Sequence, residues 1–295
     1  MHYTGTVYRA PMDAMNPLLE ITQGCTHNSC KFCNMYKDIP FKMSPLEWIE
    51  EDLQELQNVV PHTKRLTFIG ANPFVLSYDK LMVILNLVHK YLPDVNYITT
   101  QTRVSDIQNK TVDQLKELHA NGIEKLYLGI ESGDDWTLQR INKGYTSDII
   151  IPQSLKLEQA GIKYWLTFMN GIADREHSYE HALHSAQIFS QLHPEVIGSG
   201  SLVLFPDTIL AQEANAGFFK PLTEKERMEE MKVFLENLHM ESNTQFVMHH
   251  TSALQMNGYI PRDQKEFIQR LEKSINEYDK IGAAMEYHRN HTYTL

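Results

Sequence analysis

Cysteine is scarce in this 295-residue chain: there are three, Cys25, Cys30 and Cys33, all inside one nine-residue window. An odd count at that spacing does not suit a disulfide framework and favours reduced thiols that ligate metal. Positive charge is also short, since 27 Lys and Arg against 37 Asp and Glu leave a formal net charge of −10. Binding to phosphate backbones needs a basic footprint, so tRNA and DNA are disfavoured as partners. No apolar run approaches the roughly 20 residues of a membrane span. The N-terminal MHYTGTVYRAPMDAMN lacks the apolar core of a signal peptide. A cytoplasmic protein with no membrane partner is expected. Solenoid repeats and low-complexity tracts are missing too, which removes scaffold arrays and disordered binding tails from consideration.

What is present is a regular alternation. From Leu18 onward, short β-branched apolar runs alternate with longer amphipathic ones, the pattern of βα units on a parallel sheet. Strands are expected near 18–23, 65–70, 95–100, 125–131, 163–169 and 196–204, with helices at 45–58, 78–91, 111–120, 147–160 and 178–191. Six repeats predict an α/β fold, a partial (β/α)6 TIM-like barrel spanning 1–210. Residues 211–295 then read as a short helical C-terminal extension packed on the barrel, with helices at 223–239 and 263–282 around the apolar segment QFVMHH.

The strand LLEITQG runs straight into CTHNSCKFCNMY, which places the three sulfurs at the C-terminal end of the first strand, the catalytic face of a parallel barrel. Three thiolates on one tight loop suit three corners of an iron–sulfur cubane and leave its fourth iron open. The competing assignments are a Cys₃His zinc site using His27 and a plain electron-carrying cluster. Zinc knuckles pair two ligand clusters, and no second C-x-x-C exists here.

The loop resembles the signature of radical S-adenosyl-L-methionine (SAM) enzymes, in which three cysteines follow the first strand and an aromatic, here Phe32, precedes the third. The usual first gap is three residues, whereas Cys25 to Cys30 encloses four. The run YRAPMDAMNPLLEITQGCTHNSCKFCNMYK, the segment LYLGIESGDDWTLQRINKG and the C-terminal LVLFPDTIL and HHTSALQMNGYIPRD together resemble one uncharacterised branch. Its class includes the tRNA methylthiotransferases and oxygen-independent coproporphyrinogen oxidase. The resemblance implies one 4Fe-4S cluster on Cys25, Cys30 and Cys33, and SAM chelating the open iron. SAM is then cleaved to a 5′-deoxyadenosyl radical that abstracts hydrogen from a small organic or peptide substrate. A flavodoxin- or ferredoxin-like electron donor is implied as partner.

The same resemblance assigns the cofactor contacts. Gly70 and Asn72 in GANPF stand where the family commonly carries glycines and a carboxylate facing the SAM amine. Arg103, with Gln101 beside it, suits the SAM carboxylate. Glu131 and Ser132 in GIESG suit the ribose hydroxyls, and Met169 and Asn170 the adenosine. Phe32 shields the cluster. On the substrate side, Tyr36 and Lys37 lie just past the cluster loop, and His249 and His250 close QFVMHH. Three cysteines leave no ligands for an auxiliary cluster, which disfavours methylthiotransfer, and no segment has the length of a cobalamin domain. A non-catalytic accessory protein, such as a haem or metal chaperone, is the alternative from another class.

Overall fold

The computed structural model describes residues 1–248, 252 and 254–290. In chain order the strands are β1 (Leu18–Glu20), β2 (Thr22–Gln23), β3 (Lys42–Met43), β4 (Arg65–Ile69), β5 (Tyr97–Thr102), β6 (Ile123–Glu131), β7 (Lys163–Asn170), β8 (Val196–Ser201), β9 (Thr244–Met248) and β10 (Asn257–Ile260). The helices are α1 (Leu46–Val59), α2 (Tyr78–Tyr91), α3 (Val112–Ala120), α4 (Asp135–Arg140), α5 (Ile150–Ala160), α6 (Ser178–Phe189), α7 (Ile209–Asn215), α8 (Glu224–Asn237), α9 (Gln264–Asn276) and α10 (Tyr278–Asn290). The main sheet has the order β1-β4-β5-β6-β7-β8-β9-β10, and β2 and β3 form a separate two-stranded ribbon. The expected α/β class with a mostly parallel sheet is what the chain adopts. Among the described residues no helix is long and apolar enough to cross a membrane.

Two departures from the sequence expectation have physical causes. The first strand breaks at Ile21, whose N–H bonds Ile69 O while its own carbonyl accepts from Ser44 N–H, so the chain changes partners there. The C-terminal stretch also supplies strands as well as helices. In it β9 pairs parallel to β8, and β10 folds back antiparallel on β9, with Phe246 and Ile260 fully buried. The described part of that segment, residues 245–248, lies in a mostly buried strand of the kind that carries little period-2 signal.

The chain divides into two compact units. The first comprises residues 1–28, 35–129 and 152–164. Leu66, Phe68 and Ile98 lie at 0–1% exposure within it. Thr67 and Thr99 instead share a polar network with Asp13 and Asn16, their hydroxyls 2.8 Å apart and the Asp13 carboxylate accepting from Thr99 at 2.7 Å. Thr111 and Gln114 form a capping box that opens α3. The second unit comprises 29–34, 130–151 and 165–295. In it Phe234 of α8 stacks on Phe168 of β7 and meets Phe189 of α6 edge-on, and Thr223 with Glu226 caps α8. Gly171, at φ +77°, ends β7 so close to Arg227 that a Cβ there would overlap its guanidinium. Only glycine fits that position.

Candidate functional site

The three cysteines are half-buried and outside any disulfide, on the loop that follows β2. Each unit holds its own share of the loop. In the first unit, Gly24 at φ +63° makes the turn into Cys25, since a Cβ there would collide with the Ile39 carbonyl oxygen. Asn28, in the left-handed region, donates from Nδ2 to Tyr36 O at 2.7 Å. Thr26 is held by Asn72: the Thr26 N–H donates to Asn72 Oδ1 at 3.3 Å, and Asn72 Nδ2 donates to Thr26 Oγ1 at 2.7 Å.

In the second unit the segment 29–34 is stitched along its length. Asn142 Nδ2 donates to Ser29 O at 2.9 Å, Lys31 N–H to Ile141 O at 2.9 Å, and Leu210 N–H to Lys31 O at 2.9 Å. The Lys31 ammonium reaches Glu213 at 2.7 Å, and Arg140 pairs with the same carboxylate. Phe32 packs against Ile141, Ile172, Leu202, Leu210 and Phe219, alongside Met169. The loop is therefore anchored before any metal arrives. Replacing Glu213 by Ala removes the shared anion of Lys31 and Arg140, an exchange worth about 1 kcal/mol for partly exposed pairs. Thermal unfolding of Glu213→Ala is expected to move down by roughly 2–4 °C.

Glu131 ends β6 with φ +69°, an uncommon conformation for a residue with a side chain, of the sort that clusters at functional sites. Its Oε1 accepts from Lys143 Nζ at 3.1 Å and its Oε2 from Thr167 Oγ1 at 3.1 Å. A carboxylate has about four lone-pair sites, so two remain for a ligand's hydroxyls. Lys143 is buried, and its ammonium lies 5.7 Å from the Phe32 ring centroid. Burial alone would lower this amine, but the charges of Glu131, Tyr145 and Cys30 outweigh it and hold the group above the ordinary lysine range. Lys143 was not singled out from sequence. Its position inside LYLGIESGDDWTLQRINKG was the available signal.

Several expected cofactor contacts are turned into the protein instead. Ser132 is fully buried. His181 Nε2 donates to Met169 O at 3.3 Å, and burial lowers this histidine to about 4. The neutral ring then accepts at Nδ1, so the Ser132 hydroxyl donates to it at 2.8 Å and is not free for a ribose. Asn170 gives both amide hydrogens to α8, at Arg227 O (3.0 Å) and Glu230 Oε2 (2.7 Å). Asn72 gives both of its hydrogens to Thr26 and Asp106. Gly70, at φ +137°, abuts Thr22, so its bare Cα admits β2 rather than a ligand. At Ser132, Asn170 and Asn72 the side-chain hydrogens are taken by protein acceptors, and at Gly70 the space beside Cα is taken by Thr22.

The other assignments are placed as follows. Gln101 and Met169 are half-buried strand positions near the C-terminal ends of β5 and β7. Arg103 follows β5 and gives its backbone N–H to Asp106 at 3.0 Å. Tyr36 is buried edge-on to Tyr8 and lines a small cavity of about 10 Å³ with Glu20, Thr22 and Gln23, and Lys37 donates to Asn28 O. His249 and His250 lie outside the described residues.

A cysteine-rich loop after the first strand of a mostly parallel α/β sheet defines the class as an α/β protein with the donors of a metallocluster. The donor set fits such a cluster: three thiols, outside any disulfide, lie within one nine-residue loop. The profile of the Radical SAM superfamily matches residues 19–189, more than half of the chain, and the chain belongs to that superfamily.

Among curated proteins, the heme chaperone HemW of Bacillus subtilis (strain 168) is 23% identical over 194 residues, 63% of this chain and 50% of that protein. The chain thus spans about half the length of that relative. Among solved structures, the radical SAM methyltransferase TsrM from Kitasatospora setae, with cobalamin and a 4Fe-4S cluster bound, superposes at TM-score 0.56. It is 17% identical and covers 68% of this chain and 37% of that one. Coproporphyrinogen III oxidase (HemN) from Escherichia coli superposes at TM-score 0.55 with 15% identity, covering 88% of this chain and 70% of that one.

Proposed function

We propose that this chain is a cytoplasmic radical SAM enzyme that holds one 4Fe-4S cluster on Cys25, Cys30 and Cys33. The observation that carries the reading is the set of three thiols, none in a disulfide, in one anchored loop inside the segment matched to the superfamily. When bound, the cluster supplies one electron that cleaves SAM to methionine and a 5′-deoxyadenosyl radical able to abstract hydrogen from a small organic or peptide substrate. An electron donor of the flavodoxin or ferredoxin type completes the requirement.

The chain's own residues bind, orient and exclude water. Glu131, fixed by Lys143 and Thr167, offers its remaining lone pairs to a pair of vicinal hydroxyls. Lys143 places a positive charge beside Cys30, where an anionic group finds compensation in a dry setting. Phe32 and Met169 present an apolar wall. Arg103 stays a second cationic contact for a carboxylate.

Anaerobic reconstitution, then dithionite and SAM, with methionine and deoxyadenosine quantified, tests this. Wild type is expected to make both and Cys30→Ala neither. A fully loaded cluster that gives no cleavage would support a second reading, a non-catalytic iron–sulfur or SAM-binding accessory protein. The likeness to the heme chaperone HemW favours that alternative.

A further inference from the structure

We propose that Asp106 is a positioning residue for the cysteine loop, acting through Asn72, whose amide it orients so that the Thr26 N–H next to Cys25 finds an acceptor. The proposal rests on the reading of that loop as the cluster holder, and the geometry lies wholly within the first unit.

Asn72 is fully buried at the end of β4, and Asp106 is 4% exposed just past β5. An amide side chain can point either way, and its neighbours decide which. Asn72 Nδ2 donates to Asp106 Oδ2 at 2.9 Å and to Thr26 Oγ1 at 2.7 Å, while Oδ1 accepts the Thr26 N–H at 3.3 Å. An ionised carboxylate accepts only, so the side of Asn72 that faces Asp106 must be the NH₂. The oxygen is thereby directed at Thr26. A flipped amide would set oxygen against oxygen at Asp106 and nitrogen against the N–H of Thr26.

Asp106 is itself fixed. Its Oδ2 accepts the Arg103 N–H at 3.0 Å. Lys110, 2% exposed, donates to Phe74 O at 2.7 Å and to Asp106 O at 3.4 Å, with its ammonium 4.5 Å from the Phe74 ring centroid. Burial raises the Asp106 carboxyl, and the bonds from Asn72 and Arg103, with the charges of Arg103 and Lys110, oppose that rise. A carboxylate this buried returns little stability for its desolvation. What this one provides is a single direction for Asn72, and through it a single conformation for the residue that follows Cys25.

A conservative rescue separates this role from bulk stability. Asp106→Leu fills the same space and offers no acceptor to Asn72, and Asn72→Leu removes the relay amide itself. Asp106→Asn is the rescue: Oδ2 of Asp106 takes the bonds from Asn72, from the Arg103 N–H and from the Thr102 hydroxyl, and an amide oxygen set at that position accepts all three.

Wild type, Asp106→Leu, Asn72→Leu, Asp106→Asn and Cys30→Ala would be compared in two assays. The first is amide hydrogen exchange of the peptide carrying Thr26 in the cluster-free protein. The second is iron and sulfide per chain after anaerobic reconstitution, with the EPR spectrum of the reduced cluster before and after SAM. The expected result is Thr26 exchange about tenfold faster in both leucine variants and close to wild type in Asp106→Asn. Iron loading and the SAM-dependent EPR change should be lost and regained in the same order. Asp106→Leu with wild-type exchange and spectrum, or Asp106→Asn no better than Asp106→Leu, overturns the proposal. If Cys30→Ala loads as well as wild type, the cluster assignment falls instead, while the exchange data still judge the relay.

Discussion

Lys143→Met is expected to lose SAM affinity by at least about tenfold and to unfold roughly 6–12 °C below wild type. The Lys143 and Glu131 side chains are 6% and 12% exposed and meet at 3.1 Å. Removing one member of a buried pair leaves the other as an uncompensated charge, at a cost of about 3–5 kcal/mol. The lower end applies, because Thr167 still bonds Glu131 Oε2. Lys143→Met/Glu131→Gln separates the two effects. Neutralising both partners should return most of the thermal stability, since no buried charge is stranded, yet leave SAM binding weak. Calorimetric titration of SAM into the reconstituted protein, beside thermal unfolding of the cluster-free protein, reads both quantities. A double variant that binds SAM like wild type would remove Lys143 and Glu131 from the cofactor contacts.

The second large effect concerns pH. Glu230 on α8 is 2% exposed and accepts from Asn170 Nδ2 and Gly171 N–H, and its other oxygen has no partner among the described residues. Burial raises this carboxyl to about 8, against the opposing influence of the Gly171 bond and the Arg227 charge. Between the ordinary carboxylate value of about 4.3 and that raised value the folded protein holds a proton that the unfolded chain has lost. Stability must therefore fall as pH rises through the window.

His181 works in the opposite sense. Its value of about 4 means the unfolded chain binds the extra proton between pH 4 and the ordinary 6.5, so its contribution is lost as pH falls. The two slopes roughly cancel from pH 4.5 to 6.5, and Glu230 acts alone above that. From pH 6.5 to 8 stability should drop by about 2 kcal/mol, at up to 1.36 kcal/mol per pH unit. Glu230→Gln, isosteric and neutral, should flatten that decline, with urea unfolding midpoints at pH 6.5, 7.25 and 8 as the measurement. An unchanged slope in the variant would mean that Glu230 ionises normally despite its burial.

The parts of the fold legible in the sequence are those written in local pattern. Six strands fall where alternating β-branched runs placed them, because each βα unit carries its own periodicity and its own Pro, Gly or hydroxyl-bearing boundary residues. QFVMHH showed only as an apolar segment, since a strand buried between neighbours carries little period-2 signal. The cysteine loop was legible in full, as ligand spacing is a property of a few adjacent residues. Glu131 was legible from its place at the end of an apolar strand.

Asp106, Lys143, His181 and Glu230 were not, for a shared reason. Each acts through a partner distant in sequence, and an acidic, basic or imidazole side chain in a helical or loop segment looks the same whether solvated or buried. Asn72, Ser132 and Asn170 were assigned to the cofactor on their polar chemistry and their position at strand ends. The structure turns their donors to Thr26 and Asp106, to His181, and to α8.

By itself, then, the sequence determined the parallel α/β plan, the three thiols and their place after the first strand, because each follows from contacts and spacings within some ten residues. Tertiary structure alone decided which polar side chains keep lone pairs for a ligand and which support their neighbours. Hydrogen-bond capacity at each atom is finite, and only packing determines which neighbour takes it.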